Sequence, residues 1–156
     1  MNEGANDKMM FTVRRVEWAA EGARLSAIRR SVFVVEQQVP EHEEWDDMDA
    51  VSRHVLACAG DGAAIGTGRL LPQGASARIA RIGRMAVLKP WRGRGVGSAL
   101  LQALIGLARE SGFKETHLHA QTHALEFYRK HGYTPLGNEF LEAGIPHYEM
   151  RLQLTP

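Results

Sequence analysis

Residues 91–97 read WRGRGVG and constrain the fold more than any other part of the sequence, because this glycine-rich segment separates a strand pattern from a helix pattern. Before it, ARIARIGRMAVL (77–88) predicts a strand that runs to Pro90. After it, SALLQALIGLARESG has apolar residues at spacings of three and four, which predicts a helix of about 14 residues from Ser98 with Gly112 at its C-cap. The chain therefore has a strand, a glycine turn and a helix in immediate succession.

A glycine turn at the start of a helix is suited to binding an anion. The first N–H groups of a helix have no backbone partner and carry a partial positive charge, and glycines let the backbone approach phosphate oxygens closely. Arg92 and Arg94 add charged donors to this turn. A turn that only caps the helix is the alternative interpretation.

Spacing separates the phosphate-binding loops that this turn resembles in composition. A P-loop requires Gly-Lys-Ser or Gly-Lys-Thr, and the sequence has neither. A dinucleotide-binding fingerprint requires G-x-G-x-x-G, whereas the series here runs Gly93, Gly95 and Ser98 and follows an antiparallel pattern. Neither of these two ligand classes fits the loop well.

The remaining periodicity predicts one domain of mixed α/β architecture. Its expected order is β, α, β, β, β, α, β, α, β, β, with an Asp61-Gly62 hairpin turn inside a meander of three antiparallel strands. The expected strands are 11–18, 53–60, 63–72, 77–88, 115–121, 133–137 and 147–154, and the expected helices are 21–37, the helix from Ser98, and 123–132. Residues 1–9 are predicted to form a loose tail, and residues 10–156 the domain.

Charge and cysteine content exclude several classes of protein. Nineteen basic and 18 acidic residues give a net charge of +1, which argues against a dedicated nucleic-acid-binding protein and leaves binding through the Arg-Gly loop as a minor alternative. Cys58 is the single cysteine, so an intrachain disulfide and a cysteine-based zinc site are excluded and a cytoplasmic location is expected. No stretch approaches the ~18 apolar residues of a membrane span, so no membrane partner is expected.

Two motifs resemble those of the GNAT superfamily, the acyl-CoA-dependent N-acetyltransferases. Residues 92–97 (RGRGVG) match the signature [QR]-x-x-G-x-[GA] at the expected junction of strand and helix, and residues 124–133 (ALEFYRKHGY) match A-x-x-[FL]-Y-x-x-x-G-[FY]. The segments FVVEQQVPEHEEWDDMDAVSRH (33–54) and GIPHYEM (144–150) resemble the ElaA-like and YjcF-like branch of that superfamily. The resemblance extends from residue 11 to residue 154.

This resemblance implies a fold and a site for a co-substrate. The fold would be a central, mostly antiparallel sheet in which two strands splay apart at a bulge, flanked by helices. Acetyl-CoA would fill the gap, with its pyrophosphate on the backbone N–H groups of residues 93–98 and its pantetheine arm along the first splayed strand. The residues implied in binding are Met85, Ala86, Val87, Arg92, Gly93, Arg94, Gly95, Val96, Gly97, Ser98 and Gln121, the last of which stands where many family members have asparagine.

Acyl transfer from a thioester to an amine requires a proton acceptor and a proton donor, but no metal and no covalent enzyme intermediate. Tyr128 occupies the tyrosine of the second motif, where a phenol of pKa about 10 can return a proton to a thiolate whose acid has a pKa of about 8.5. Packing on the sheet is its alternative role. Glu36, Glu44 and His119 are the candidate bases, and a zinc site formed by the histidines at 117, 119 and 123 is not favoured.

The acidic segment EHEEWDDMD (41–49) bears on the acceptor. Its six carboxylates would attract a cationic amine to a neighbouring acceptor site, although a solvated acidic loop is equally consistent with this composition. We therefore expect an N-acetyltransferase that moves an acetyl group from acetyl-CoA to a primary amine, a small cationic metabolite, by direct attack. The alternative is a catalytically silent acyl-CoA-binding sensor. A homodimer is compatible with the sequence.

Overall fold

The computed structural model describes residues 10–73 and 78–154, so the expected tail at residues 1–9 lies outside the described residues. The described chain forms a seven-stranded sheet in the order β1-β2-β3-β4-β5-β7-β6. The strands are β1 (Phe11–Val16), β2 (Arg53–Ala59), β3 (Ala64–Pro72), β4 (Ile79–Val87), β5 (Glu115–Gln121), β6 (Thr134–Glu142) and β7 (Ile145–Gln153). The helices are α1 (Trp18–Arg29), which continues in π-helical turns over Arg30–Glu36, α2 (Glu41–Glu44), α3 (Val96–Glu110) and α4 (Leu125–Lys130). The expected order of elements and the mixed α/β class are confirmed.

The connections between strands explain their directions. β2, β3 and β4 follow one another as an antiparallel meander, whereas α3 connects β4 to β5 as a crossover and makes this pair parallel. β4 and β5 pair only over residues 79–81 and 115–117. Beyond these residues the two strands separate, and a gap opens in the middle of the sheet.

A bulge in β4 lies beside this gap. The step from Thr67 to Arg69 is two residues in β3, and the matching step from Ala86 to Gly83 is three residues in β4. The extra residue accompanies a left-handed backbone at Arg84, where φ is 51°. Because a bulge bends the strand that carries it, β4 leaves its partner here. The splayed pair and the bulge that the resemblance implies are both present.

Two apolar layers cover the sheet, one on each face. Alternate residues of β2 point in opposite directions, so that Val55 and Ala57 belong to the cluster under α3 whereas Leu56 and Cys58 belong to the cluster under α1. The larger cluster is completed by leucines of α3 at positions 100, 101 and 104, all fully buried. Helix α1 covers mainly β2 to β4, which leaves the same face of β5 and β7 open beside the gap.

The helix and strand boundaries differ from expectation at several places, among them α3, α1 and β6. Helix α3 begins at Val96 and not at Ser98, because Gly95 takes the N-cap position with φ of 85° and the Val96 side chain is 1% exposed in the core. Helix α1 begins at Trp18, three residues before its expected start. Strand β6 runs on to Glu142, since a register shift between Leu136 and Phe140 lets it continue beyond Gly137. Among the described residues, every helix is too short or too polar to cross a bilayer.

Candidate active site

A cavity of about 710 Å³ occupies the gap between β4 and β5. Its walls come from β4, β5, the π-helical turns, α2, α4 and the β6–β7 hairpin. Of the residues predicted for the site, it is lined by Met85, Ala86, Val87, Arg92, Gln121, Tyr128, His119 and Glu44. Glu36 and residues 93–98 do not line it. The sheet therefore brings the predicted donor and two of the three candidate bases to one cavity.

The glycine loop lies between β4 and α3 and has the backbone that an anion site requires. Gly93 and Gly95 have φ of 77° and 85°, which is the left-handed region that favours glycine. A Cβ built on either residue has no atom within 4 Å, so the outer side of the loop is open. The N-cap of α3 has no side-chain hydrogen bond, and the first N–H groups of a helix have no backbone acceptor. These residues fit a phosphate-containing group.

The two arginines of the loop have different partners. Arg94 places its guanidinium 5.0 Å from the centre of the Trp91 ring. Arg92 makes two hydrogen bonds of 2.8 Å to Glu36 and donates from Nε to the Val87 carbonyl at 2.9 Å. The hydrogen bonds from Arg92 lower the pKa of Glu36. Glu36 is thus an ion-pair partner of the loop, and a carboxylate with a lowered pKa is a weaker base.

Tyr128 reaches the cavity from α4. Its hydroxyl lies 4.0 Å from the Met85 sulfur, and its ring meets those of Phe127 and Tyr133 edge-on. Burial raises the pKa of Tyr128 to about 12, so the phenol keeps its proton at neutral pH. The neighbouring Tyr133 has its hydroxyl 2.6 Å from Thr116 Oγ1 inside the core. Tyr128 is therefore the tyrosine that faces the cavity, and Tyr133 is a core residue.

Gln121 bridges two other residues of the cavity wall. Its amide nitrogen donates to Gln37 Oε1 at 3.0 Å, and its carbonyl oxygen accepts from His123 Nε2 at 2.7 Å. Gln37 follows the π-helical turns, whereas Gln121 ends β5, so this hydrogen bond connects α1 to the strand on the far side of the gap. Sequence reasoning gave Gln121 a binding role but did not connect it to Gln37.

His119 faces the cavity from β5 and is bound to the β6–β7 hairpin. Its Nδ1 lies 3.0 Å from Glu142 Oε1, and Glu142 Oε2 lies 3.6 Å from His147 Nε2. The hydrogen bond from His119 is the main cause of the lowered pKa of Glu142. Phe140 packs edge-on against the His119 ring with a centroid distance of 4.9 Å. The sequence did not predict a role for Glu142 or His147. The segment GIPHYEM (144–150), which includes His147 and the start of β7, was noted only for its resemblance to the ElaA-like and YjcF-like branch.

Most carboxylates of the acidic segment 41–49 form ion pairs with arginines of the same chain. Arg29, which is 1% exposed, donates to Glu44 and Asp49 at 2.7 Å each. Arg69 bonds Asp46 at 2.8 Å and Asp49 at 3.2 Å. The segment is therefore neither a solvated loop nor a free cluster of negative charge, because three of its carboxylates hold arginines in a buried network.

Glu44 belongs to both the network and the cavity wall. It is 4% exposed, and its Oε1 lies 2.7 Å from Arg29 Nε and 3.3 Å from Arg84 Nε. Burial raises the pKa of Glu44, and the charges of Arg84 and Arg29 oppose this shift. A carboxylate held by two guanidiniums cannot turn toward a substrate without leaving them unpaired. Glu44 is thus placed as a support of the cavity wall.

Comparison with known proteins agrees with this arrangement. Residues 19–154 match the sequence profile of the family described as Acetyltransferase (GNAT) domain. The chain belongs to the GNAT acetyltransferase family. GNAT proteins transfer acyl groups, depend on CoA and act on small-molecule acceptors.

Individual relatives indicate which branch of the GNAT family this chain resembles. The uncharacterized N-acetyltransferase YjcF of Bacillus subtilis (strain 168) is 41% identical over 124 residues, which cover 79% of this chain and 86% of YjcF. An acyl-CoA N-acyltransferase from Pseudomonas aeruginosa superposes with a TM-score of 0.81 at 30% identity, covering 91% of this chain and 99% of that one. ElaA of Escherichia coli superposes with a TM-score of 0.80 at 28% identity, covering 91% and 99%. The expected ElaA-like and YjcF-like resemblance is confirmed.

The histidines of β5 and its C-terminal turn each have a partner within the GNAT fold. His117 lies 3.2 Å from Glu115, His119 contacts Glu142, and His123 contacts Gln121. Among the described residues, no three histidine, cysteine, aspartate or glutamate side chains are arranged to hold a metal ion. These histidines therefore belong to hydrogen-bonded pairs along the open face of the sheet.

Proposed function

We propose that this GNAT protein is an acetyl-CoA-dependent N-acetyltransferase that acetylates a primary amine by direct attack. The observation that carries the proposal is the cavity between β4 and β5, to which a protonated Tyr128 and a hydrogen-bonded His119 both contribute. A proton donor and a proton acceptor that face one space are what acyl transfer to an amine requires.

The chain offers two backbone surfaces to acetyl-CoA. The N–H groups of residues 93–98 and the Arg94 side chain would hold its pyrophosphate, because the loop is open and the start of α3 is electropositive. The backbone of Met85, Ala86 and Val87 would pair with the pantetheine arm, because no strand of the described chain pairs with β4 on the gap side at these residues. The bound thioester supplies an activated acetyl group.

Direct attack is supported by the place of the single thiol. Cys58 lies in the apolar cluster under α1 and is 8% exposed, outside the cavity wall. In the reaction the acceptor ammonium first loses one proton, the resulting amine nitrogen forms a bond to the thioester carbonyl carbon, and the carbon–sulfur bond breaks. The nitrogen then loses a second proton to water, and the sulfur gains one. His119 would take the proton of the ammonium, and Tyr128 would donate the proton to the sulfur and be reprotonated from water.

The raised pKa of Tyr128 is compatible with a donor role. Burial disfavours the phenolate, and the same surroundings disfavour a thiolate in the same cavity, so the proton affinities of both groups rise together. A phenol that is protonated at every physiological pH can donate a hydrogen bond to sulfur in each catalytic cycle. A backbone N–H of Ala86 or Val87 is the proposed donor to the carbonyl oxygen.

The acceptor that we propose is a small cationic amine. Arg84 lines the cavity, but its guanidinium is held by Glu44 and Asp46, so it adds little free positive charge. Glu43 lines the same cavity and is exposed, and Glu142 adds a second carboxylate at its edge. The charge offered to an acceptor is therefore negative.

Because the single thiol is buried and reduced, we also propose a cytoplasmic location.

An amine panel with thiol detection tests this function. The purified protein is incubated with acetyl-CoA and polyamines, amino acids, aminoglycosides and peptides, free CoA is followed by its thiol, and acetylated products are identified by mass. We expect turnover with at least one cationic amine and little with anionic amines. Binding of CoA without turnover on any amine would overturn the enzymatic proposal in favour of a sensor, and the absence of CoA binding would overturn both.

A further inference from the structure

We propose that Glu142, at the end of β6, is a positioning residue that fixes the tautomer and orientation of His119, so that His119 Nε2 can take a proton from the acceptor ammonium. The proposal rests on the acyl-transfer function proposed above and adds to it a second residue, from a different strand, on which the base depends. The evidence is the hydrogen bond between these residues, the hairpin that holds it and the ring that packs beside it.

The hydrogen bond determines which ring nitrogen of His119 is free. Glu142 Oε1 lies 3.0 Å from His119 Nδ1, and an ionised carboxylate can only accept. The pKa of Glu142 is lowered mainly by the hydrogen bond from His119, which outweighs the opposing effect of burial, so the carboxylate is ionised at neutral pH. Nδ1 therefore carries the hydrogen, and the lone pair of the neutral ring is on Nε2. No hydrogen-bond partner of Nε2 occurs among the described residues.

The backbone of the hairpin fixes the position of Glu142. Glu142 pairs with Ile145 across a two-residue turn in which Ala143 and Gly144 have φ of 51° and 76°. Two positive φ values in succession are typical of the tight turn that matches the twist of paired strands. The carboxylate is therefore attached to the last residue before a rigid turn, and Ala143 and Glu142 both line the cavity.

A second imidazole lies on the other side of the carboxylate. His147 Nδ1 donates to the Ile145 carbonyl at 2.6 Å, and its Nε2 lies 3.6 Å from Glu142 Oε2, which is too long for a hydrogen bond. The ring of Phe140 stacks on His147 with a centroid distance of 5.9 Å and meets His119 edge-on. Phe140 thus packs against both rings, and Glu142 lies between them. A carboxylate and two imidazoles on three strands meet at one edge of the cavity.

The proton balance of the step is simple. The acceptor ammonium loses one proton, its N–H bond breaks and an Nε2–H bond forms on His119, which leaves a neutral amine with a free lone pair and an imidazolium paired with Glu142. The imidazolium then returns the proton to water. Glu142 does not touch the acceptor in this step, and its part is to hold Nδ1–H and to stabilise the imidazolium charge.

Several charged or titratable groups surround His119. Glu142 contacts it from β6, and His147 lies behind that carboxylate on β7. Glu149 is its register partner on β7, and Arg84 acts on Glu142 from β4. On β5 itself, His117 is two residues away and pairs with Glu115 and Glu149. The carboxylate of Glu142 is the group in direct contact, so its removal should have the largest effect.

Kinetics of Glu142→Gln provide the first test, with Glu110→Gln as a matched control at an exposed ion pair on α3. We expect kcat for the amine found in the panel to fall about tenfold or more while KM for acetyl-CoA stays unchanged. The control should match the parent protein. An unchanged kcat in Glu142→Gln, with activity lost in His119→Gln, would overturn the positioning role and leave the proposed function intact.

The tautomer itself provides a test that is independent of turnover. Nitrogen-15 spectra of the histidine rings in the unmodified protein should show His119 in the Nδ1–H form, and Glu142→Gln should reduce the preference for this form. Dominance of the Nε2–H form in the unmodified protein would overturn the proposal even if the enzyme is active. If no amine is acetylated but His119 is in the Nδ1–H form, the failure lies in the proposed function and removes the catalytic part of this inference with it.

Discussion

Arg92 and Glu36 form a two-point ion pair, with both nitrogen–oxygen distances at 2.8 Å, that joins the glycine loop to the π-helical turns after α1. The same guanidinium donates to the carbonyl of Val87 at the end of β4. One arginine of the signature is therefore occupied by the protein itself. Arg92 thus holds the glycine loop on the side that faces the cavity, and the loop backbone at Gly93 and Gly95 is open on its outer side.

This relationship predicts that Glu36→Gln affects binding and not catalysis. Loss of one charge from a partly exposed pair removes about 1 kcal/mol or less, so KM for acetyl-CoA should rise by about fivefold at most with kcat unchanged. Steady-state kinetics at varied acetyl-CoA provide the measurement. A large fall in kcat with an unchanged KM would instead make Glu36 the base, as one interpretation of the sequence had it.

Charge reversal at Arg94 tests the loop as the pyrophosphate site. Arg94→Glu places a carboxylate beside the start of α3, where it repels a phosphate that the backbone N–H groups would otherwise bind. We expect the dissociation constant for CoA, measured by calorimetry, to rise about tenfold or more. Arg109→Glu, the same change at the other end of α3, should leave the constant within about twofold, because the helix charge effect is confined to its ends. Equal binding by both variants would place the phosphates elsewhere.

Tyr128→Phe tests the donor in the cavity. Removal of the hydroxyl should lower kcat about a hundredfold and leave KM for acetyl-CoA nearly unchanged, because the ring still fills its place. Since burial raises the pKa of Tyr128 to about 12, the parent enzyme should show no fall in rate from phenol ionisation up to about pH 10.

Tyr133→Phe is the matched control for this change. Its hydroxyl is bound to Thr116 in the core, so its loss should lower the free energy of unfolding by about 1–3 kcal/mol and leave kcat close to that of the parent protein. Denaturant unfolding and the same kinetic assay separate the two effects. A retained rate in Tyr128→Phe would contradict the donor role.

Much of the fold followed from local patterns in the sequence. The apolar spacing of α3, the glycines before it and the alternation of the meander strands are set by neighbours in the chain, so the order of elements could be predicted. The start of α3 at Val96 was missed because the side chain is buried by packing that the local pattern does not reveal. The π-helical turns at 30–36 were missed because their apolar residues keep nearly the same spacing as in an α-helix.

The site was predictable only in part, since its partners come from distant parts of the chain. The motifs predicted the positions of Tyr128 and the glycine loop, because these residues lie at fixed places on their own elements. Glu142 lies 23 residues from His119, and no local pattern indicates that the hairpin bond forms. The carboxylates of the acidic segment were predicted to be free, either beside an acceptor site or in a solvated loop. Composition does not show that Arg29 and Arg69 are buried against them.

The buried network of Arg29, Arg69 and Asp49 predicts how acid destabilises the fold. Burial raises the pKa of Asp49, but hydrogen bonds and charges from the two arginines outweigh it and bring the pKa below the usual 3.8. A carboxyl whose pKa is lower in the folded state contributes stability above its unfolded pKa and loses it as the pH falls through the folded value. The unfolding midpoint should therefore drop steeply below about pH 3.8.

Asp49→Asn isolates this contribution. The variant leaves the two guanidiniums short of one buried charge, so at neutral pH the free energy of unfolding should fall by about 1–3 kcal/mol or more. Its stability should then change less with pH below about 4 than that of the parent, because one of the two network aspartates with a lowered pKa is gone while Asp46 remains. Glu44 makes the opposite contribution to the pH dependence of stability, because its pKa is raised in the folded state. It should therefore reduce the loss of stability at low pH in both proteins. Urea unfolding over a pH series measures these slopes, with Asp61→Asn in the exposed hairpin turn as the control. If Asp49→Asn and the parent lose stability with the same slope, Asp49 is not the group whose protonation drives acid unfolding.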